Sequence, residues 1–326
     1  MGKYALKSLS KNEIKTLEQI CSLSQANVKK LMSRFLRTKY SSVFETKDFI
    51  CAQGDIPIAL VAHMDTVFKR LPEDFFYDSS KNVMWSPQGA GFDDRAGIYA
   101  IMKIVQSGFK PHIILTTDEE IGAIGASALI EYDIPFKDVR YLIQLDRRGA
   151  NDCVFYDCNN DEFTNYIEKF GFVTAYGSFS DISVICPEWK IAGVNLSVGY
   201  MNEHTNTEIL YVGHLVNTIE KVKQMLSEKD IPSFEYREDP HAHDWETYYR
   251  RWLIGANGTW VQCHKCKDYF QEVEAIPAEL SRGAITYFCP DCVINSVEWC
   301  ADCGTAFVRQ KGDYKRIKCY TCEEEV

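Results

Sequence analysis

The first 230 residues alternate between apolar runs of strand type and apolar positions at helical spacing. A capping-box pattern, Ser10 with Glu13, opens a helix-period segment over 10–38, which we expect to form one or two packing helices without chemistry of their own. Short β-branched runs predict strands at 48–52, 58–62, 112–117, 139–145 and 191–198, with helical segments between them and a long last helix over 209–227. Such alternation is typical of an α/β fold, so we predict three layers, a mixed and largely parallel sheet flanked by helices.

Acidic residues and histidines stand at the ends of these predicted strands or at the start of the next helix. Ligands of open α/β sheets gather beyond the strand ends, so we expect these groups to meet at one site. Six of them are candidates: His63, Asp93, Glu119, Glu120, Asp146 and His204. Taken singly, each has an ordinary interpretation as a solvated loop acid, a helix cap or a member of an ion pair.

For two pairs of nearby residues, the sequence predicts how their side chains point relative to each other. Glu119 and Glu120 follow a strand, and because side chains alternate there, one can bind a metal while the other faces a water beside it. His63 and Asp65 are two positions apart and project to the same side, which suits a metal-binding imidazole and a carboxylate that orients it. The alternative is a strand-end histidine satisfied by a neighbouring acid.

Paired aspartates at a helix start and a single aspartate at a strand end complete the pattern. Glycines precede Asp93 and Asp94, so the backbone can turn tightly, and one aspartate can cap the helix while the other binds a metal. Asp146 ends the apolar run 139–145, where an ion pair with Arg147 or Arg148 is the alternative to metal binding.

The order of these motifs, HMDTV, then FDDRAG, DEEIG, a strand-end LD and a late histidine, resembles the clan of co-catalytic zinc exopeptidases. That clan includes peptidase T, carboxypeptidase G and the glutamyl and leucyl aminopeptidases, and the resemblance covers about residues 55–225. It implies a zinc-exopeptidase-like fold and two catalytic zinc ions, with Co²⁺ or Mn²⁺ as alternatives. Only 57 residues separate Asp146 from His204, so the lid domain that many members insert there is not expected.

The resemblance also implies a role for each candidate residue. One ion would be held by His63, Asp93 and Asp146, and the other by Asp93, Glu120 and His204. Glu119 would be the general base and Asp65 would support His63. The implied activity is hydrolysis of an amide or peptide bond in a small substrate through a metal-bridging water, first of all by an aminopeptidase. A carboxypeptidase, an N-acyl-amino-acid deacylase and a catalytically inactive zinc-ribbon adaptor are the alternatives.

Cysteine spacing distinguishes the last seventy residues. Eight of the thirteen cysteines form four CxxC pairs, which predict two structural zinc sites: Cys263, Cys266, Cys289, Cys292, Cys300, Cys303, Cys319 and Cys322. Pairing of consecutive motifs would give tandem zinc ribbons, which we favour, and alternate pairing would give a cross-braced module. Since a lobe of this size buries little apolar surface, the metal would hold it together.

Composition and charge set the remaining expectations. The segments divide into a catalytic domain at 1–230, a linker at 231–255, in which His241 and His243 are weak metal candidates, and a zinc-ribbon-like domain at 256–326. A net charge of −10, with eight basic and eleven acidic residues after 255, argues against nucleic acid and favours a protein partner of the cysteine-rich module. The resemblance implies a small peptide or acyl-amino-acid substrate. Without a signal peptide or membrane-spanning run, we expect a cytoplasmic protein.

Overall fold

The chain folds into two compact units, residues 1–243 and 244–326. The computed structural model describes residues 8–136 and 138–240 of the first unit and, in the second, 260–267, 269–271, 275–282, 284–293, 296–303, 305–310 and 316–324. His241 and His243 lie outside the described residues. None of the helices within these ranges is both long and apolar enough to cross a membrane.

The first unit has the predicted α/β fold, with a mixed, mostly parallel sheet between layers of helices. Its strands are β1 Ser42–Glu45, β2 Phe49–Gln53, β3 Ile56–His63, β4 Phe76–Asp78, β5 Val83–Trp85, β6 Pro111–Thr116, β7 Tyr141–Arg147, β8 Asp152–Val154, β9 Val173–Thr174, β10 Gly193–Ser197, β11 Tyr200–Met201 and β12 Ile209–Tyr211. Its helices are α1 Lys11–Cys21, α2 Gln25–Lys39, α3 Phe92–Gln106, α4 Ile124–Ile130, α5 Asp161–Glu168, α6 Asp181–Trp189 and α7 Val212–Leu226.

Eight strands form the main sheet in the order β1-β2-β6-β3-β7-β10-β8-β9. The four central strands, β6, β3, β7 and β10, are parallel, whereas β2 pairs antiparallel with β6 and β8 antiparallel with β10. The carboxyl ends of the central strands therefore lie along one edge of the sheet, where the predicted site residues belong.

Alternating side chains of these strands feed two hydrophobic cores. Leu60 and Ala62 of β3 belong to the larger core, which also takes in residues of α1, α2, α3, α5 and α7. Ala59 and Val61 point the other way, into a smaller core with residues of α4 and α6. The two cores give the three layers that the sequence predicts. The predicted capping box is also present, since the Ser10 side chain and the N3 glutamate of α1 bond each other's backbone N–H groups.

Two features of the first unit were not predicted. A second, four-stranded antiparallel sheet, β11-β12-β5-β4, is built from strands of two or three residues. Because Ile209–Tyr211 belongs to this sheet, α7 begins three residues later than its apolar period suggests. The segment after α7 also packs onto the first unit, with Ile231 and Phe234 buried in the larger core, although its composition predicts a linker.

The second unit contains short strands and very small cores. Its described elements are β13 Trp260–Gln262, β14 Tyr269–Gln271, β15 Ile276–Ser281, β16 Ala284–Phe288, α8 Pro290–Val293, β17 Glu298–Trp299 and β18 Ala306–Phe307. The last four strands form one sheet in the order β16-β15-β18-β17. Glu279 of β15 is buried and accepts hydrogen bonds from the N–H and the hydroxyl of Thr321, so the two halves of the unit are joined.

Candidate metal centre

The six candidate residues come together at the carboxyl edge of the main sheet. His63 is the last residue of β3, and Asp146 is the last but one of β7. In the alternation of side chains along their strands, both residues are in phase with those that pack against α4 and α6. Their side chains therefore project from the same face of the sheet. Glu119 and Glu120 follow β6, and His204 lies in the hairpin between β11 and β12.

Asp93 lies between the two histidines and faces both of them. Its Oδ1 atom is 3.1 Å from His63 Nε2, and its Oδ2 atom is 3.2 Å from His204 Nε2. Asp146 Oδ1 adds a third group beside His63 Nε2, at 3.5 Å. Glu120 Oε2 does the same beside His204 Nε2, at 3.0 Å. The result is two sets of three donor groups that share one carboxylate, in the combinations that the resemblance implies.

The two sets differ in exposure. His63 and its partners are buried, whereas the His204 side chain is 50% exposed. The side open to solvent is therefore the side of His204, where a small substrate can approach.

Asp94 takes the capping role that the sequence left open between the two aspartates. Its Oδ1 accepts the Gly97 N–H at 2.9 Å and its Oδ2 accepts the His63 N–H at 3.2 Å. The carboxylate is fully buried and also lies in a ligand-type cluster with His63 and Asp146. Since backbone N–H groups already occupy both oxygens, Asp93 is the better candidate for metal binding. The peptide bond between the two aspartates is cis.

Asp65 organises two parts of the site at once. Its Oδ1 lies 3.1 Å from His63 Nδ1, so it fixes the ring with Nε2 turned toward Asp93. It also accepts the N–H groups of Glu119 and Glu120, each at 3.1 Å. Burial alone would raise the pKa of Asp65, but the hydrogen bonds and charge of His63 and these N–H groups lower it to about 2. Asp65 is therefore ionised at neutral pH and keeps its acceptor geometry.

Glu119 lies next to this cluster, and no donor group of the described residues is paired with its side chain. Burial raises the pKa of Glu119, while the charge of His63 lowers it and that of Asp146 raises it. A half-buried carboxylate of this kind binds a proton more readily than an exposed one, as a general base requires.

The donor set fits divalent metal ions. Ligand atoms about 2.0–2.2 Å from a tetrahedral zinc ion are about 3.3–3.6 Å from one another, close to the distances above. Glu120 Oε1 is buried without a hydrogen-bond partner among the described residues. Hydrogen bonds that the His204 ring donates to Asp93 and Glu120 raise its pKa to about 11. Burial opposes a charge on His63, yet Asp146 and its other acidic neighbours raise its pKa as well. The site thus favours positive charge between its imidazoles and carboxylates.

Glu208 supports the shared carboxylate, a role that sequence reasoning missed. This buried side chain accepts the Gly91 N–H at 2.6 Å through Oε2 and the Asp93 N–H at 3.0 Å through Oε1. Because it follows His204 by four residues, it ties the hairpin of one candidate ligand to the backbone of another. Its sequence signal is weak, since a single glutamate before a short strand has many ordinary explanations.

Asp146 is held by four side chains that the motifs do not single out. Ser180 and Gln144 donate to Oδ2 at 3.0 and 3.1 Å, and Tyr200 donates to Oδ1 at 3.1 Å. Asn195 accepts the Asp146 N–H and donates to its carbonyl oxygen. The predicted alternative for this aspartate, an ion pair with a following arginine, does not form.

Both arginines have other partners. Arg147 donates to the Tyr176 carbonyl oxygen at 2.8 Å, and Arg148 pairs with Glu203 at 3.1 Å. Ser180 and Asp181 lie at the start of α6, and Asp181 is fully buried with its Oδ2 accepting the Thr116 hydroxyl.

The eight cysteines of the second unit form two clusters of four, each made of consecutive CxxC pairs. The first is Cys263, Cys266, Cys289 and Cys292, and the second is Cys300, Cys303, Cys319 and Cys322. The Sγ atoms of Cys303 and Cys319 are 3.7 Å apart, close to the roughly 3.8 Å expected for two thiolates on one tetrahedral zinc. N–H groups of Cys319 and Cys303 lower the pKa of Cys300 to about 6, which favours the thiolate.

Solved structures of peptidases share the fold of the first unit. Aminopeptidase PepT from Bacillus cereus is 15% identical, with a TM-score of 0.52 over 65% of this chain and 96% of that one. A tripeptidase from Staphylococcus aureus is 13% identical, with a TM-score of 0.53 over 65% and 96%. An aminopeptidase from the archaeon Desulfurococcus kamchatkensis is 14% identical, with a TM-score of 0.50 over 68% and 96%. No protein-family model matches the sequence, and none of the curated proteins compared with it is similar.

Proposed function

We propose that this protein is a metal-dependent hydrolase that cleaves an amide bond in a small substrate, and that it is an aminopeptidase. The observation that carries the proposal is the position of Asp93, whose two oxygens face two imidazoles at 3.1 and 3.2 Å. Each imidazole has a further carboxylate at 3.0–3.5 Å, and Glu119 lies beside the pair of sites. The choice of an aminopeptidase is supported by the fold shared with PepT and the other peptidases.

Two zinc ions would be held by this donor set, one by His63, Asp93 and Asp146 and the other by Asp93, Glu120 and His204. When bound, such a pair of ions lowers the pKa of a water between them and polarises the substrate carbonyl. Co²⁺ and Mn²⁺ suit the same carboxylate-rich set, and availability decides among them.

Glu119 is the residue proposed to move the proton. It takes the proton of the attacking water and gives it to the leaving amine, acting first as general base and then as general acid. Asp65 holds the backbone of Glu119 and the ring of His63 in one geometry, so the base and the ligand set keep a fixed relative position. Glu208 does the same for Asp93 and the hairpin of His204.

The cysteine clusters are proposed to bind two structural zinc ions, one in each. Four thiolates and one Zn²⁺ carry a charge of −2, which adds to an already acidic unit and argues against nucleic acid as its partner. A protein partner is the proposed role for this module.

Metal content tests the proposal directly. Elemental analysis of the wild-type protein should give about four zinc ions per chain, and the double variant His63→Ala/His204→Ala should keep about two. About two ions in both proteins, with no activity after added metal, would leave the first unit without a metal centre and would support the inactive adaptor.

Substrate screening tests the reaction class. Aminoacyl anilides and short peptides with a free amino terminus should be cleaved, and the same peptides with an acetylated amino terminus should not. Preference for N-acyl substrates or for release of the carboxy-terminal residue would refute the aminopeptidase assignment while keeping the hydrolase.

A further inference from the structure

The segment that carries the proposed base is held by an uninterrupted series of backbone contacts. Four consecutive N–H groups, those of residues 117–120, donate to acceptors outside the segment. The Asp48 carbonyl oxygen accepts the first at 2.9 Å, Gln25 Oε1 accepts the second at 2.9 Å, and Asp65 accepts the third and fourth. Of these acceptors, Gln25 is the only side chain that lies outside the metal-binding strands and loops.

Gln25 and Asp118 make a reciprocal pair of hydrogen bonds. Gln25 Nε2 donates to Asp118 Oδ1 at 2.9 Å, and the Asp118 N–H donates to Gln25 Oε1, so the two contacts close a ring between positions 93 residues apart. Asp118 has a φ of +56°, a left-handed conformation that aspartate and asparagine adopt more readily than most residues. Two parallel contacts fix the orientation of this residue as well as its position, and Glu119 is the next residue along the chain.

The turn before Gln25 is attached to the other half of the site. Arg95 is fully buried, and its guanidinium donates to the Leu23 carbonyl oxygen at 3.0 Å and to the Met64 carbonyl oxygen. Met64 lies between His63 and Asp65. Arg95 therefore links the turn between α1 and α2 to the segment of the supporting carboxylate, and Gln25, which follows this turn, contacts the segment of the proposed base.

We propose that Gln25 is a positioning residue for Glu119, and that the two N-terminal helices are part of the catalytic apparatus as well as packing elements. This inference rests on the proposed role of Glu119. The reciprocal pair holds the peptide that precedes the base, and Asp65 holds the peptide that follows. Displacing a reacting group by about 1 Å lowers a rate by about a hundredfold, so a looser Asp118 should reduce turnover without altering the metal ligands.

If Gln25 had only a structural role, Gln25→Ala would lower the stability of the protein and leave kcat unchanged. The positioning role predicts the opposite. The Gln25 side chain is only partly buried, and loss of its hydrogen bonds lowers stability by a small part of the total. The Gln25→Ala protein should therefore fold, bind metal and keep its KM within about twofold. Its kcat should fall by about tenfold or more. The matched control is Asn27→Ala, an exposed change on the same helix.

A swap of the two side chains provides the decisive test. Gln25→Glu keeps the acceptor for the Asp118 N–H but places two carboxylates together, so kcat should fall at least as far as in Gln25→Ala. Asp118→Asn alone retains an acceptor oxygen and should lose less. In the double variant Gln25→Glu/Asp118→Asn the asparagine amide donates to the new carboxylate, so the contact between the side chains returns with reversed polarity. The carboxylate also accepts the backbone N–H of residue 118 as Gln25 does, so kcat should recover to within about threefold of wild type.

Amide hydrogen exchange of residues 118–120 gives a readout that does not depend on catalysis. Exchange should be faster in Gln25→Ala and Gln25→Glu and return toward wild type in the double variant. Wild-type kcat in the single variants, or a double variant no more active than Gln25→Glu, would overturn the inference. If the wild-type protein hydrolyses no amide, the proposed function fails, and unchanged exchange in Gln25→Ala would then overturn the positioning role separately.

Discussion

The two units of this chain place metal-binding groups in opposite relations to the fold. In the first unit the candidate ligands come from positions 63 to 204, and strand ends of a finished core bring them together. In the second unit each cluster comes from at most 30 consecutive residues, 263–292 and 300–322. A site of the first kind depends on the fold around it, whereas a site of the second kind can organise the fold itself.

The hydrophobic cores bear out this contrast. The larger core of the first unit includes residues from five helices and from the central strands. In the second unit the two described core clusters are small, and cysteines make up two of the six fully buried members of one and two of the three in the other. Since so little apolar surface is buried, we expect the proposed structural metal ions to take the place of the missing core.

The largest expected effect is the loss of folded structure when metal is removed. This unfolding should be confined to the second unit. Incubation with a strong chelator should unfold residues 260–324 while leaving the first unit folded, because structural zinc sites supply the folding free energy of small domains. Two-dimensional NMR would follow the two sets of amide signals separately.

Variants give the matched control for this experiment. Cys300→Ser/Cys303→Ser should reproduce the loss in the second unit without chelator, and His63→Ala/His204→Ala should not. Persistence of dispersed signals from the second unit in metal-free protein would refute the contrast between the units.

The second-largest expected effect is on catalysis. We expect catalysis to depend on the site of the first unit and not on the cysteine clusters of the second. Glu119→Gln should lower kcat by about 10²–10⁴-fold with metal content unchanged, because the amide cannot accept the proton of the attacking water. Glu131→Gln, an exposed change after α4, is the control of equal chemistry. Turnover within a few-fold of wild type in Glu119→Gln would remove Glu119 from the mechanism.

The two units also differ in how much of each could be predicted from the sequence, because the ligand residues of one are far apart in the chain and those of the other are close together. The CxxC spacing is local, so two four-cysteine sites could be predicted from the order of eight cysteines. Consecutive grouping was favoured over alternate grouping but not fixed by that order, and the structure shows the consecutive one. His63, Asp93, Glu120 and Asp146 were found because each stands where an apolar strand or glycine-rich turn ends. His204 was a candidate because it follows the predicted strand 191–198, although the two-residue strand β11 lies between them in the structure, and its grouping with Asp93 and Glu120 came from the resemblance.

The groups that hold these ligands leave no such pattern. Glu208 reaches the Asp93 N–H across 115 positions, and Gln25 reaches Asp118 across 93. A side chain whose partner is that distant has no periodic or spacing signal in the sequence. The second sheet was missed for another reason, since strands of two or three residues such as β11 and β12 are too short to show an alternation.

The third expected effect is on the stability of the first unit, and it should differ between the two histidines of the site. His63 is fully buried, and its removal leaves a cavity and unpaired carboxylates, so His63→Ala should lower the free energy of unfolding by about 2–4 kcal/mol in metal-free protein. His204 is half-exposed and contributes less packing, so His204→Ala should cost less than His63→Ala, with the loss coming mainly from leaving Asp93 and Glu120 unpaired. Denaturant titration of the two variants in chelator provides the comparison. Equal losses would mean that the exposed side of the site is as tightly packed as the buried side.

The smallest effect is a dependence of the first unit on pH that involves no proposed ligand. His112 is buried, its Nδ1 accepts the Gly54 N–H at 3.1 Å, and burial lowers its pKa below the ordinary value of 6.5 against the opposing charge of Asp138. The unfolded chain therefore binds a proton first as the pH falls, and stability is lost from about pH 6.5 down to the folded pKa, then levels off.

A variant isolates this contribution from the other acid-sensitive groups. His112→Gln has no proton to gain between pH 7 and 5, so metal-free wild type should lose stability over that range relative to the variant, whatever the variant's own stability is at pH 7.

Acid should act on the second unit by a different route, because protonation of its thiolates releases metal. Zinc-loaded protein should therefore lose the structure of the second unit at a pH that depends on the zinc concentration. The loss that His112 causes in the first unit, measured as the difference between wild type and His112→Gln, should be the same at every zinc concentration. A difference that changes with zinc would mean that metal controls this part of the first unit as it controls the second.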